Sequence, residues 1–127
     1  MLVVEDKLEN LDLMVYLLEA FGHEVLVARD GAEGVETVGS ARPDMVVMDL
    51  QMPVMDGYEA AARIKADTEL RHIPLVAVTA YAMVGDRERA LAAGFDGYVS
   101  KPIDPQSFVR YLDGVLSASP KSQTGGG

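Results

Sequence analysis

Three carboxylates, one hydroxyl and one ammonium follow the apolar runs of this sequence at places where side chains from separate runs could meet. Glu5 and Asp6 follow Leu2-Val3-Val4, Asp49 follows Met45-Val46-Val47-Met48, Thr79 closes Leu75-Val76-Ala77-Val78 beside the small Ala80, and Lys101 comes after Gly97-Tyr98-Val99 in Ser100-Lys101-Pro102. Acids gathered in one crevice repel, and a hard divalent cation with oxygen ligands lets them stay ionised together. Mg²⁺, keeping several of its waters, is the expected ion, and Mn²⁺ suits the same ligands. A hydroxyl donor and a single ammonium facing such a cluster serve phosphoryl transfer, in which charge spreads over equatorial oxygens and catalysis is mainly positioning and neutralisation. A carboxylate can itself be the nucleophile and form an aspartyl phosphate. Asp49, flanked by acids that would hold the metal and followed by a loop, is the candidate acceptor.

Whether these residues meet depends on the elements that carry them. Leu8, Leu11, Met14, Val15 and Leu18 recur at helical spacing until Gly22, so strand Leu2–Val4 is followed by a helix from Leu8 to Phe21. The alternation continues with strand Glu24–Ala28, helix Ala32–Ala41, strand Met45–Met48, a helix from Tyr58 to Ala66 and strand Leu75–Val78. Helix Val84–Ala93 closes at Gly94, Gly97–Val99 is a short strand, and Pro105 opens a last helix to Leu116. Near-continuous apolar strands separated by helices require a parallel sheet covered on both faces. The predicted fold class is therefore α/β, a flavodoxin-like, doubly wound sheet of five strands with five helices. In such a sheet ligands bind beyond the carboxyl ends of the strands, where the strand order reverses. For the order 2-1-3-4-5 that point lies between strands one and three, where Glu5, Asp6 and Asp49 stand. The stretch from Ser117 to Gly127 is Ser/Gly-rich without periodicity, so one domain is expected over 1–117, with 118–127 a flexible tail or linker remnant.

Composition narrows the function classes. The chain has 127 residues, enough for one core, and 49% are hydrophobic with charges interspersed, which reads as globular. Net charge is -9, with scattered basic residues, which argues against a nucleic-acid binder because that affinity rests on clustered Lys and Arg. No run reaches the about 18 apolar residues of a membrane span, no secretory leader is legible, and there is no cysteine, so a cytoplasmic protein without membrane or nucleic-acid partners is expected.

Glu5-Asp6, the run from Met48 through Asp49, Gln51, Met52, Pro53 and Met55 to Asp56-Gly57, Val78-Thr79-Ala80, and Tyr98-Val99-Ser100-Lys101-Pro102-Ile103 together resemble the response-regulator receiver family in order, spacing and strand context. The likeness covers about residues 1 to 117. The resemblance implies that Asp49 is phosphorylated by a histidine kinase or histidine phosphotransfer protein. It also implies that Glu5, Asp6, Asp49 and the Gln51 backbone carbonyl bind Mg²⁺. In that family the residues matching Thr79 and Tyr98 shift together on phosphorylation, the lysine matching Lys101 contacts the phosphoryl oxygens, and the peptide before Pro102 is usually cis. Readout to a downstream protein is expected on the face formed by the fourth helix, fifth strand and fifth helix, with residues such as Arg87, Arg89, Tyr98, Phe108 and Tyr111. Glu5 departs from the aspartate often found there and lengthens the reach to the metal by one methylene. The stretch from His72-Ile73-Pro74 to Tyr81-Ala82-Met83-Val84-Gly85-Asp86 looks closest to single-domain regulators and to receivers of hybrid sensor kinases.

Other classes fit less well. A magnesium phosphohydrolase resembling the haloacid dehalogenase family wants a second aspartate two residues after the nucleophile, and here that place is Gln51. A flavin or nucleotide carrier would need a Gly-rich first turn to cradle phosphate, whereas this turn is acidic. His23 and His72 lack further ligands at metal spacing and read as surface or edge residues. Met45 and Met48 belong to an apolar strand and are expected in the core, with Met52 and Met55 as loop residues near the site. Asp30-Gly31 and Asp56-Gly57 are turn and helix-start signals.

Overall fold

The computed structural model of the protein describes residues 1–52, 54–80 and 84–118; Pro53, Tyr81-Ala82-Met83 and the tail Ser119–Gly127 fall outside the described residues. Its elements alternate as β1 Leu2–Val4, α1 Leu8–Ala20, β2 Leu26–Ala28, α2 Gly31–Ala41, β3 Val46–Asp49, α3 Gly57–Ala66, β4 Leu75–Thr79, α4 Asp86–Ala92, β5 Gly97–Ser100 and α5 Pro105–Ser117. All strand pairs are parallel and the order is β2-β1-β3-β4-β5, the predicted arrangement with its reversal between β1 and β3.

Side chains alternate across the strands and so feed two cores. Leu2, Val4, Val46, Met48, Leu75 and Ala77 face α2, α3 and α4, meeting Val38, Ala60, Ala61, Ile64 and Ala90. Val3, Val47, Val76 and Val78 face the other way onto Leu11, Met14 and Leu18 of α1 and Phe108, Val109 and Leu112 of α5. Met45 and Met48 are buried as expected, while Met52 and Met55 are partly buried against the first core.

Local chemistry fixes the helix starts. Asp30 and Asp56 accept from the N–H groups of Glu33 and Glu59, capping α2 and α3, and Asp104 caps α5 ahead of Pro105. Two expectations need correction. Helix α4 begins at Asp86 rather than Val84, because Gly85 adopts φ +90 and breaks the backbone there. Strand β2 is shorter than Glu24–Ala28 and is not covered front and back: Leu26 and Val27 are 46% and 45% exposed. It is an edge strand, which the helices cover only in part: Ala28 is buried in the first core while Leu26 and Val27 face solvent.

Candidate functional site

Parallel strands deliver the chemically active residues to one rim. Glu5 and Asp6 follow β1, Asp49 ends β3, Thr79 ends β4, and Lys101 follows β5. Glu5 and Thr79 are wholly buried and Asp49 is 4% exposed. The Lys101 ammonium donates to Glu5 Oε1 at 2.7 Å and to Asp49 Oδ2 at 3.3 Å. Two backbone amides also serve these carboxylates: Gln51 N–H donates to Asp49 Oδ1 at 3.1 Å and Lys7 N–H to Glu5 Oε2 at 3.2 Å. The Thr79 hydroxyl donates to Gln51 Oε1 at 3.5 Å, and the Lys101 N–H to the Thr79 carbonyl at 2.8 Å. The Lys101-Pro102 peptide is cis, as expected.

Burial makes this cluster unlike a solvated acidic patch. Desolvation, then a hydrogen bond with Asp49, push the Glu5 acid up to about 7 against the opposing pull of Lys101. Burial alone would lower the Lys101 ammonium, but its hydrogen bond to Glu5 and the charge of Asp49 outweigh that and raise it. Burial and the neighbouring Asp49 thus make Glu5 hold a proton more tightly than an exposed glutamate does, with the Lys101 ammonium opposing them.

Glu5, Asp6 and Asp49 each offer an oxygen, all lying within 4.8 Å of one another. Asp6 Oδ1 is buried and has no hydrogen-bond partner among the described residues. A buried acceptor without a donor costs free energy unless something satisfies it. A hard cation at this point would meet that oxygen, replace the proton on Glu5 and draw on an all-oxygen donor set, so the residues present fit a divalent ion.

The sequence and structure also match known proteins. The family model of the response regulator receiver domain matches residues 1–113. The chain belongs to this family. Polar-differentiation response regulator DivK of Brucella anthropi is 42% identical over 115 residues, covering 91% of this chain and 94% of the relative. The receiver domain of sensor histidine kinase PA1611 from Pseudomonas aeruginosa, solved with a magnesium ion coordinated in its active-site cleft, superposes with a TM-score of 0.85 at 35% identity, covering 92% of this chain and 96% of that one. Chemotaxis response regulator CheY4 of Vibrio cholerae gives 0.84 at 27% identity, over 90% and 95%. The protein is therefore the receiver domain of a two-component system, a phosphorylation-dependent signalling protein. Among its described residues no helix is long and apolar enough to cross a membrane.

Around the receiver's acid cluster the structure sorts the remaining expected residues. Tyr98 stands two strand positions short of the rim, in register with Ala77 whereas Thr79 pairs with Ser100. Its ring is half-buried against the first core, and its N–H donates to the Tyr111 hydroxyl at 2.9 Å. Arg87, Arg89 and Tyr111 are exposed, but Phe108, expected on the same face, is 2% exposed: at its position on α5 the ring points under the sheet and packs with Val109 and Leu112. His23 pairs with Asp113 at 3.0 Å and His72 is exposed, both away from the rim.

Sequence reasoning missed Arg29 altogether and placed Arg89 on the readout face without its contact to Tyr58. Arg29 Nη2 donates to the Asp6 carbonyl at 2.8 Å, and Arg89 stacks 4.2 Å above the Tyr58 ring in a cleft of about 500 Å³ shared with Asp6, Gln51, Met52 and Asp56. The signal for Arg29 was the parallel register: a residue just past β2 must lie beside one just past β1.

Proposed function

We propose that this receiver is a magnesium-dependent switch in which Asp49 takes a phosphoryl group from a histidine kinase or histidine phosphotransfer protein and relays the event to a protein partner. The observation that carries the reading is Lys101, held on Glu5 and Asp49 together at the mouth of a three-carboxylate cluster. Glu5, Asp6, Asp49 and the Gln51 backbone carbonyl would hold Mg²⁺, with Mn²⁺ as a substitute. When bound, the cation neutralises charge on the phosphoryl oxygens.

The chain's own residues account for the rest. An Asp49 carboxylate oxygen attacks phosphorus as the P–N bond to the donor imidazole breaks, and the electron pair returns to that nitrogen. Lys101 leaves its carboxylate pair for a phosphoryl oxygen, and the Thr79 hydroxyl donates to another. Attack of water on phosphorus later breaks the acyl phosphate P–O bond, which restores the Asp49 carboxylate and releases inorganic phosphate. The added charge of about -1.5 to -2 draws Thr79 inward and Tyr98 with it, changing the surface of α4, β5 and α5 that a partner reads. Arg87, Arg89, Tyr98 and Tyr111 belong to that surface. A full switch needs about 5.5 kcal/mol of differential stabilisation, so partner binding completes it. The reading applies to a receiver unit of residues 1–117 acting in the cytoplasm, with 118–127 outside it.

The test is intact mass after incubation with Mg²⁺ and acetyl phosphate, beside Asp49→Asn. A labile gain of one phosphate that chelation abolishes and the variant lacks is the expected result. An equal gain in Asp49→Asn would remove Asp49 as the acceptor.

A further inference from the structure

Arg29 lies outside the set of residues that the phosphoryl chemistry uses, yet it touches the site's backbone. It stands just past β2, and the parallel register Val4↔Ala28 brings it alongside the turn Glu5-Asp6-Lys7. From there Nη2 reaches the Asp6 carbonyl at 2.8 Å, a charge-assisted hydrogen bond. Its own backbone is anchored in turn: Glu33 Oε2 accepts the Arg29 N–H at 3.1 Å, and the Glu33 N–H is held by Asp30 Oδ1 at 2.8 Å. That is a capping box shifted by one residue, because the glutamate reaches back past the cap to the residue before it. A path of hydrogen bonds therefore runs from the first turn of α2 through Arg29 to the backbone of Asp6.

The Asp6 carboxylate needs such a support. Its Oδ1 is buried with no hydrogen-bond partner among the described residues, so that oxygen's aim is set by the backbone rather than by a donor. We propose that Arg29 is a positioning residue for the divalent-cation site, holding the turn between β1 and α1 so that Asp6 meets the ion without rearrangement. The inference rests on the reading of Glu5, Asp6 and Asp49 as that site. Arg29 is exposed, so its repulsion of a cation is screened by solvent and the support it gives to Asp6 dominates.

Isothermal titration of the whole chain with MgCl₂ alone, at pH 8, tests this alongside thermal melting of each variant in chelator. Arg29→Met keeps the apolar stem but no donor, and should raise the Mg²⁺ dissociation constant about three- to ten-fold, less than the about ten- to hundred-fold for direct partners of metal ligands because Arg29 holds the backbone and not the carboxylate. Arg29→Lys should recover part of the loss, and Glu33→Ala, which frees the Arg29 backbone, should reproduce part of it. Metal-free melting of Arg29→Met should stay within about 2 °C of wild type, since a single exposed contact contributes little to stability. Wild-type or tighter affinity in Arg29→Met, while Asp6→Asn loses binding, overturns the inference alone. A weakening matched by a large fall in metal-free melting temperature also overturns it, because Arg29 would then support the fold at large. Wild-type affinity in Asp6→Asn would overturn the reading of the site, and the inference with it.

Discussion

Glu5 is a buried acid that holds its proton more tightly than usual, and this gives the site a definite pH response. Burial and the Asp49 hydrogen bond raise its folded-state acid to about 7, whereas the same group in an unfolded chain titrates near its ordinary value of 4.5. The raised value favours the folded, metal-free protein fully below about pH 4.5, and that contribution is lost as pH rises toward about 7. Mg²⁺ takes the ionised form, so its affinity should climb with pH up to about 7 and flatten above it, releasing close to one proton per ion on the climbing part. Titration calorimetry in two buffers of different ionisation enthalpy counts that proton; a pH-independent affinity between pH 5.5 and 7.5 would remove Glu5 from the site. Lys101 answers to the same electrostatics. Lys101→Met leaves Glu5 and Asp49 buried without their ammonium, and breaking a buried pair costs about 3 to 5 kcal/mol when the remaining charge cannot escape. Here Glu5 escapes by keeping its proton, so urea unfolding should find a loss of about 2 kcal/mol at pH 8 and a smaller one at pH 5.5.

The segment between β3 and α3 shows how closely element geometry controls the acceptor. A Cβ at Gly57 would stand 2.7 Å from the Asp49 carbonyl oxygen and 2.9 Å from Leu50 Cα, both backbone atoms that can yield only by moving Asp49. Gly57→Ala should therefore cost about 1 to 3 kcal/mol and also slow phosphorylation by acetyl phosphate, whereas Gly39→Ala, which meets nothing within 4 Å, should do neither. Val54 holds φ +70 while 86% exposed, so a β-branched residue sits in the left-handed region without packing in return. Val54→Gly should stabilise the domain by about 1 kcal/mol, read as a rise of about 4 °C in melting temperature; a fall would show that the Val54 side chain makes contacts that matter. Strong apolar runs and their punctuation made all ten elements legible, with ends correct to a few residues. Errors fell where tertiary placement overrides the local pattern: β2 reads like its neighbours but lies at an edge, and Phe108 reads as surface but points inward. The gathering of Glu5, Asp6, Asp49, Thr79 and Lys101 could be read from sequence because each stands at or just past the end of a strand. Arg29 could not, since its bond runs to a backbone carbonyl and leaves no mark in the pattern of residue types.

Charge at the scale of the whole molecule separates two effects of salt. The net charge of -9 destabilises the compact state by self-repulsion, and any electrolyte relieves this gradually by screening. The cluster of Glu5, Asp6 and Asp49 adds a local excess beyond what Lys101 offsets, which an ion seated among their oxygens would remove, and that effect saturates. Binding to the folded state alone contributes RT ln(1 + [L]/Kd), about 2.7 kcal/mol at a hundred times the dissociation constant, or a rise of about 10 °C for a domain of this size. Melting of the wild-type chain at fixed ionic strength should thus climb with Mg²⁺ to a plateau, while NaCl gives a shallow slope without one. Asp49→Asn removes one carboxylate from the cluster, so its metal-free form should melt above wild type at pH 8, lose most of the Mg²⁺ plateau and keep the NaCl slope. If Mg²⁺ and NaCl raised the melting temperature alike at matched ionic strength, the acids at the strand ends would be a screened patch and not a site, however closely they gather.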